Sequence, residues 1–306
     1  MAGFFFAPAT PFASLPSPVT DSPTPLYVCG PTASGKTALA LELARQHHGE
    51  IVNADAFQLY RGLDTLTAAP SAAEQALVPH HLFSVLDPAE PNDAQSYATL
   101  ATTVIEEIIA RGRTPIVTGG SGLYLKFLTH GAAPLPQGEP ALRTELEELP
   151  LEELVRRLEE LDPAEAARTN LQNRRYVSRA LEICLLTGKR ASELRDQWES
   201  ATRDRVAALR GYVIQLPRPE LHARIARRTK AMLDGGAIEE VAAAVSSVSE
   251  TCGKAIGFRE IQALLRGEID RPTCEELINA ATRQYAKRQE TWFRRESWLT
   301  PRGGGF

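Results

Sequence analysis

Apolar and polar positions divide this chain into a short-strand half and a helix-rich half. The first compact apolar run, Leu26-Tyr27-Val28-Cys29, reads as a buried strand. A glycine-rich turn follows, and then Ala38-Leu39-Ala40-Leu41-Glu42-Leu43-Ala44, which predicts a helix over about 36–47. Residues 51–54 give a second strand, so the three elements form a βαβ unit with a parallel sheet and a right-handed crossover. Apolar spacing at Leu100, Val104, Ile105, Ile108 and Ile109 predicts a helix over 94–111, closed by Arg111-Gly112-Arg113. Pro115-Ile116-Val117-Thr118 is the next strand, and it runs into Gly119-Gly120-Ser121-Gly122.

The pattern changes near residue 130. Gly131 to Pro140 reads as a Pro/Gly linker, 141–161 as a charged helix ended by Leu161-Asp162-Pro163, and Asn173–Thr187 and Ser192–Ser200 as further helices. Residues 131–206 therefore read as a helical insertion between two parts of an α/β core, 25–130 and 207–306. Alternation returns at Tyr212-Val213-Ile214-Gln215-Leu216, as expected of re-entry into the sheet, and helices follow at about 218–234, 236–247, 257–266 and 274–296. Residues 1–24, rich in Pro, Ser, Thr and Ala, read as a disordered lead-in, and no internal repeat is visible.

Composition narrows the classes. The 306 residues are 43% hydrophobic, enough for a large core, and no run approaches transmembrane length. The net charge of −4 conceals a split, −11 over residues 1–170 and +7 over 171–306. A basic half suits a polyanionic partner, although solvated helix faces give the same count. Cys29, Cys184, Cys252 and Cys274 lie far apart, which suits buried free thiols in a reducing compartment rather than a zinc site or disulfide framework. The pairs His47-His48 and His80-His81 lack metal-ligand spacing, so surface or structural roles are expected of them. The N-terminus has no basic segment before Arg45, so it fits neither a secretory signal nor an Arg-rich transit peptide.

The chemistry centres on Gly30-Pro31-Thr32-Ala33-Ser34-Gly35-Lys36-Thr37, between strand and helix. Glycines let backbone N–H groups curl around phosphate oxygens, and the helix N-terminus adds partial positive charge. Lys36 can bridge phosphates and the Thr37 hydroxyl can ligate Mg²⁺. The motif alone leaves open whether the phosphates belong to a nucleotide. Asp55 ends the second strand, where open α/β sheets place chemistry. It suits a general base, a metal ligand, a nucleobase acceptor or a plain strand-end turn. The strand at 115–118 ends in Thr-Gly-Gly rather than the Asp that holds Mg²⁺ in many P-loop nucleotidases. Gly119–Gly122 reads either as a second phosphate-facing turn or as a turn whose Ser121 caps the next helix. Arg224 and Arg228 share a helix face, suited to an anion or to solvent. On the last helix Arg283, Lys287 and Arg294 form one stripe, and Tyr285, Gln289 and Trp292 an adjacent one. That mixture suits looped RNA, with Phe293 turned to the core.

Together these segments resemble the tRNA dimethylallyltransferases, also called tRNA isopentenyltransferases, in a bacterial form without a zinc finger. The matching pieces are Gly30–Thr37, Asp55–Pro70, Pro79-His80-His81-Leu82, Asp87-Pro88, Gly119–Tyr124, Arg179-Ala180-Leu181-Glu182, Ile256-Gly257-Phe258-Arg259-Glu260 and Lys287–Arg294. They run in the family's order over about residues 25–298. The resemblance implies a P-loop NTPase-like core, a parallel sheet flanked by helices, plus an all-helical insertion that grips the anticodon stem-loop. It implies transfer of a dimethylallyl group from its diphosphate, held with Mg²⁺ on Gly30–Thr37, to the exocyclic amine of adenine 37 of tRNA. Asp55 matches the family's general base. Lys36, Ser121 and Arg224, with Arg228 and Thr32, match groups that face the diphosphate, and Thr37 the metal ligand. The RNA-contacting segments map to Asp55, Ala56, Phe57 and Gln58; to Asn173, Arg174, Arg175, Tyr176 and Val177; to Lys254, Gly257, Phe258 and Arg259; and to Lys287, Arg288, Trp292 and Arg294. A cytoplasmic, monomeric enzyme follows from the same likeness. The chain departs from the family pattern at Ala56, Leu66, Ala69, Asn92-Asp93, Ser121 and Phe258. The competing readings are a P-loop small-molecule kinase, a nucleotide-gated RNA-binding protein and a prenyltransferase of free adenine nucleotides.

Overall fold

A computed structural model describes residues 23–132, 136, 138–245 and 247–303. The proposed lead-in lies almost wholly outside these residues, as does part of the 131–140 linker. Six parallel strands form one sheet: β1 Leu26–Cys29, β2 Gly49–Asn53, β3 His80–His81, β4 Thr114–Gly119, β5 Arg210–Gln215 and β6 Leu299–Gly303, in the order β3-β2-β4-β1-β5-β6. The parallel α/β core expected from the sequence is therefore present. β1 and β2 are not neighbours, because β4 inserts between them.

The helices are α1 Lys36–Gln46, α2 Asp64–Thr67, α3 Ala72–Gln75, α4 Ala94–Ala110, α5 Gly122–His130, α6 Pro140–Glu148, α7 Leu151–Leu161, α8 Pro163–Arg168, α9 Arg174–Thr187, α10 Ala191–Ala207, α11 Arg218–Asp234, α12 Ala237–Ala244, α13 Phe258–Leu265 and α14 Arg271–Phe293. The helix expected over 141–161 is two, because Pro150 has no N–H to continue the ladder and starts a new one. Asp162 and Pro163 then open α8, with Asp162 accepting from the Glu165 N–H at 3.0 Å. β3 is two residues long, and β6 is an edge strand containing Pro301.

One core cluster fills the face under α4 and α5, with Tyr97, Ile108, Val117 and Leu125 at its centre. Another lies between α1 and the sheet around Leu39, Leu43, Ile51 and Ile116. A third joins α2 and α11–α14 through Leu63, Phe258, Ile261 and Ile278. The segment α6–α9 holds its own cluster of Leu146, Leu154, Leu158 and Leu181. In that segment Glu182 is buried between Arg143 and Arg179, and Glu165 pairs with Arg195.

α5 and α10 meet where the His130 ring lies tilted against Trp198, with ring centroids 5.6 Å apart. Thr129 Oγ1 donates to the Leu125 carbonyl at 2.7 Å, so it must accept from His130 Nδ1–H at 2.8 Å. Burial, with Lys126 and Arg205 nearby, pulls the imidazole down to about 4. The unfolded chain, with an ordinary histidine near 6.5, binds the extra proton first. Stability should therefore fall as pH drops from about 6.5 to 4. Denaturant titrations of the wild type and His130→Asn check this: the variant should lose part of that slope, and an identical slope would contradict it.

Candidate active site

The cavity sits at the carboxyl edge of the sheet, at the end of β1. It has a volume of about 330 Å³, and its walls include Thr32, Gly35, Lys36, Thr37, Asp55, Gln58, His80, Thr118, Gly119, Arg224 and Arg228. Arg224 and Arg228 reach it from α11, while β2 delivers Asp55. The loop from Gly30 to Gly35 is fixed from outside. Gln289 on α14 accepts from the Thr32 N–H at 2.8 Å and donates to the Gly120 carbonyl at 2.9 Å. One side chain thus ties the phosphate loop to the turn after β4. A Cβ on Gly120 would run into the Gln289 amide and push the clamp aside.

Arg228 donates to Thr32 Oγ1 at 2.8 Å and to the Thr67 carbonyl at 3.1 Å, and Lys36 Nζ donates to the Pro31 carbonyl at 2.8 Å. Both cations keep some exposure toward the cavity, but protein surrounds their charges. Burial pushes Lys36 down to about 8 and Arg228 below its ordinary value, and the Asp55 carboxylate partly offsets both. Arg224 pairs with Glu220 at 2.8 Å and reaches the Ser34 carbonyl at 3.4 Å.

Asp55 is held at the exit of β2 by a closed set of bonds. Asn53 Oδ1 accepts from the Asp55 N–H at 2.8 Å, Asn53 Nδ2 donates to the Asp55 carbonyl at 3.0 Å, and Asp55 Oδ1 accepts from the Phe57 N–H at 3.1 Å. Ser121 Oγ accepts from the Ala56 N–H at 3.0 Å. Ser121 stands at the N-cap of α5 without a side-chain cap bond. It is therefore neither the expected helix cap nor part of the cavity wall; it braces the turn that carries Asp55. Of the Gly119–Gly122 turn, only Gly119 lines the cavity.

Asp55, Thr32 and Arg228 also line a second hollow of about 60 Å³, walled by Phe57, Leu66, Met232, Ile256, Ile278 and Tyr285. The carboxylate thus stands where the two cavities meet, the second carrying several apolar side chains beside its polar ones. Tyr285 stands beside Ser121 and Gln289, and Arg288 lies over its ring at 5.7 Å.

The inward stripe of α14 differs from the expected RNA-stacking surface. Gln289 is 4% exposed and clamps two loops, and the Trp292 indole lies where a side chain on Gly122 would stand. Phe293 is in the core, as expected. Val177 and Phe258 are buried core residues, so their side chains present nothing to RNA. Phe258 lacks a hydroxyl at a site that would bury it. Gly257 is packed against Leu66 and Ile278. Arg174 binds the carbonyls of Leu146 and Leu149 at the end of α6, and Asn173 caps α9. Arg175, Tyr176, Arg259, Lys287, Arg288 and Arg294 are exposed; Lys254, also exposed, pairs with Glu250 at 2.6 Å. Sequence reasoning missed Gln289 as a clamp, and it missed His80. The His80 Nδ1–H donates to the Val78 carbonyl at 2.8 Å, leaving Nε2 a buried acceptor without a partner among the described residues, in a side chain on the cavity wall. His81, by contrast, bonds Glu50 at 2.7 Å.

A phosphate loop on the central strand of a parallel sheet, with two enclosed cations and one carboxylate, defines a P-loop-type α/β transferase site. The IPP transferase family model matches residues 58–296, and the isopentenyl transferase model matches 25–82. A tRNA dimethylallyltransferase of Akkermansia muciniphila is 46% identical over 90% of this chain and 91% of its own length. Another from Citrifermentans bemidjiense is 44% identical, over 88% and 90%. Among solved structures, the tRNA isopentenylpyrophosphate transferase of Bacillus halodurans aligns with a TM-score of 0.66 at 32% identity, covering 92% of this chain and 90% of that one. A eukaryotic dimethylallyltransferase acting on tRNA aligns at 0.75 with 26% identity, covering 92% and 74%. The chain belongs to the tRNA dimethylallyltransferase, or IPP transferase, family.

Two outcomes test this geometry. Gln289→Ala leaves the Thr32 N–H and the Gly120 carbonyl unpaired, at about 1–3 kcal/mol each. Thermal unfolding should drop accordingly and alkyl diphosphate affinity should fall at least about tenfold; unchanged affinity would mean that the loop holds its shape alone. Lys36 binds an anion only as the ammonium, so affinity for an alkyl diphosphate should weaken as pH rises above about 8, approaching about tenfold per pH unit. Calorimetry from pH 7 to 9.5 reads this, with Lys36→Met as the flat control; a wild-type Kd independent of pH would refute it.

Proposed function

We propose that the protein transfers the dimethylallyl group of dimethylallyl diphosphate to the exocyclic amine of the adenine at position 37 of tRNA, beside the anticodon, giving isopentenyladenosine and diphosphate. The observation that carries this reading is the position of Asp55, which lines both the cavity over Gly30–Thr37 and the second hollow beside it. The diphosphate lies on Gly30–Thr37, against Lys36, Arg224 and Arg228. The adenine leaves its stack and presents its amine to Asp55.

The amine lone pair is delocalised into the ring, so it is a weak nucleophile. As its nitrogen bonds to the prenyl carbon, the carbon–oxygen bond to diphosphate breaks, and Asp55 accepts the amine proton. Positioned proton transfer of this kind contributes about 10²–10⁴-fold. The three cations neutralise charge on the departing diphosphate. The apolar walls of the second hollow keep water from the electron-poor carbon.

Mg²⁺ fits the cavity through hard oxygen donors, the Thr37 hydroxyl and the diphosphate itself. The described residues hold no group of three His, Cys, Asp or Glu side chains that would bind a metal alone. When bound, the ion supplies further charge neutralisation at the leaving group. The exposed Arg175 and Tyr176 on α9, with Lys287, Arg288 and Arg294 on α14, offer charge and a stacking surface to the anticodon stem-loop. We read the protein as a monomer acting in the cytoplasm, where the four unpaired, buried thiols suit a reducing setting. No helix among the described residues is long and apolar enough to cross a membrane.

Incubation with unmodified tRNA, dimethylallyl diphosphate and Mg²⁺, followed by mass spectrometry of the nucleosides, tests the reaction. The wild type should yield isopentenyladenosine, with ATP inert as donor. Asp55→Ala should abolish the product while tRNA affinity stays within about a few-fold, since one lost contact at a broad RNA interface costs little. A fully active Asp55→Ala enzyme would remove the carboxylate from the mechanism.

A further inference from the structure

A second cation-lined concavity lies outside the active site. Between the first turns of α11 and the C-terminal half of α14, a groove of about 210 Å³ is lined by Arg218, His222, Arg283, Lys287 and Glu290. Arg218, His222 and Lys287 are exposed, and Arg283 is half-buried. The floor is apolar: Leu221, Ile225 and Ala286 pack together against Leu216 and Ala33 of the phosphate loop. The groove therefore stands at the same carboxyl edge of the sheet as the active site, one layer of side chains away.

The charges here differ from the ion-paired cations elsewhere on the surface. Arg156, Arg157, Arg168, Lys254, Arg266 and Arg271 each have an acidic partner within 4.0 Å. Among the described residues Arg218, Arg283 and Lys287 have no such partner, although Glu290 shares the groove. Three converging cations with one carboxylate between them leave a net positive hollow. The N-terminus of α11, a helix of 17 residues, adds its partial charge. The shape matters as much as the charge. A concave site presenting two guanidiniums and an ammonium from two helices matches the oxygens of a phosphodiester, which guanidinium groups bind in paired fashion.

We propose that this groove seats a backbone phosphate of the substrate RNA, with Arg218 and Arg283 as its principal ligands. The assignment rests on the tRNA-prenylating reading given above. It gives the protein an anchor on the nucleic acid that is separate from the donor site. The anchor fixes where the RNA strand runs across the α11–α14 pair, whose neighbouring faces supply Arg224, Arg228 and Gln289 to the active site. Contacts of this kind set position and affinity without reading sequence.

The test compares wild type, Arg218→Ala/Arg283→Ala and Arg218→Lys, each with its melting temperature recorded. Binding of unmodified tRNA is measured without donor at a series of salt concentrations. Losing two phosphate-pairing charges should flatten the slope of log K against log salt by about 1.4, at about 0.7 per charge on a single strand. Arg218→Lys should keep most of the slope. With prenyl transfer as readout, the double variant should show a raised KM for tRNA, while kcat at saturating tRNA and the affinity for an alkyl diphosphate stay unchanged. An unaltered salt slope in a normally folded double variant would overturn the proposal. So would an equal loss of alkyl diphosphate affinity, which would make the groove part of the donor site or a source of free-phosphate binding. Failure of the wild type to prenylate tRNA would instead strike the proposed function, and the slope comparison would still decide whether the groove holds RNA.

Discussion

Enclosed positive charge, not yet balanced, is the condition around which this molecule is arranged. Lys36 and Arg228 stand within the protein beside a single carboxylate, Asp55, which offsets only part of what burial costs them. An isolated cation removed from water costs several kcal/mol. Such a site is stable only if backbone carbonyls share the cost, as those of Pro31 and Thr67 do, and it gains most from a multiply charged anion. In the proposed reaction the same imbalance would ease departure of diphosphate, because the developing charge would meet donors already in place. The parallel sheet brings the end of β1, the end of β2 and the start of α11 to one edge, so three distant stretches of chain converge on one small volume.

α14 acts as the keel of that edge. Its inner face holds the two glycine turns together through Gln289 and covers Gly122 with Trp292. Its outer flank carries the basic groups. In the proposed reaction one helix would therefore both shape the donor site and meet the polyanion, and a disturbance of its register would change both. Asp55 is fixed by the same principle: Asn53 and the Ser121–Ala56 bond hold its stretch of backbone, and the Phe57 N–H holds one carboxylate oxygen. If Asp55 is the proposed base, it gains from being held before the adenine arrives.

Much of this was legible in the chain. The phosphate loop, Asp55 and the strands around them follow local rules, and the α/β core with its parallel sheet is as the sequence led one to expect. What escaped was mostly long-range. Gln289 reaches a loop 257 positions away, and nothing in its own helix distinguishes a clamp from an amide that faces RNA. Helical periodicity grouped Tyr285, Gln289 and Trp292 correctly on one face, but not which way that face turns. Val177 and Phe258 sit in matching segments, yet burial, which no motif reports, removes their side chains from any surface. β3 is too short for alternation to show, and the proline in β6 disguises an edge strand. Pro150 was the one missed break with a plain local signal.

The most direct measurement is a crystal structure of the protein with an anticodon stem-loop RNA, Mg²⁺ and an unreactive dimethylallyl diphosphate analogue. The account predicts the diphosphate on Gly30–Thr37 against Lys36 and Arg228, with a flipped adenine whose amine lies about 2.6–3.2 Å from an Asp55 carboxylate oxygen. An RNA whose adenine stays stacked, with Asp55 turned from the base and bound to the metal alone, would contradict it.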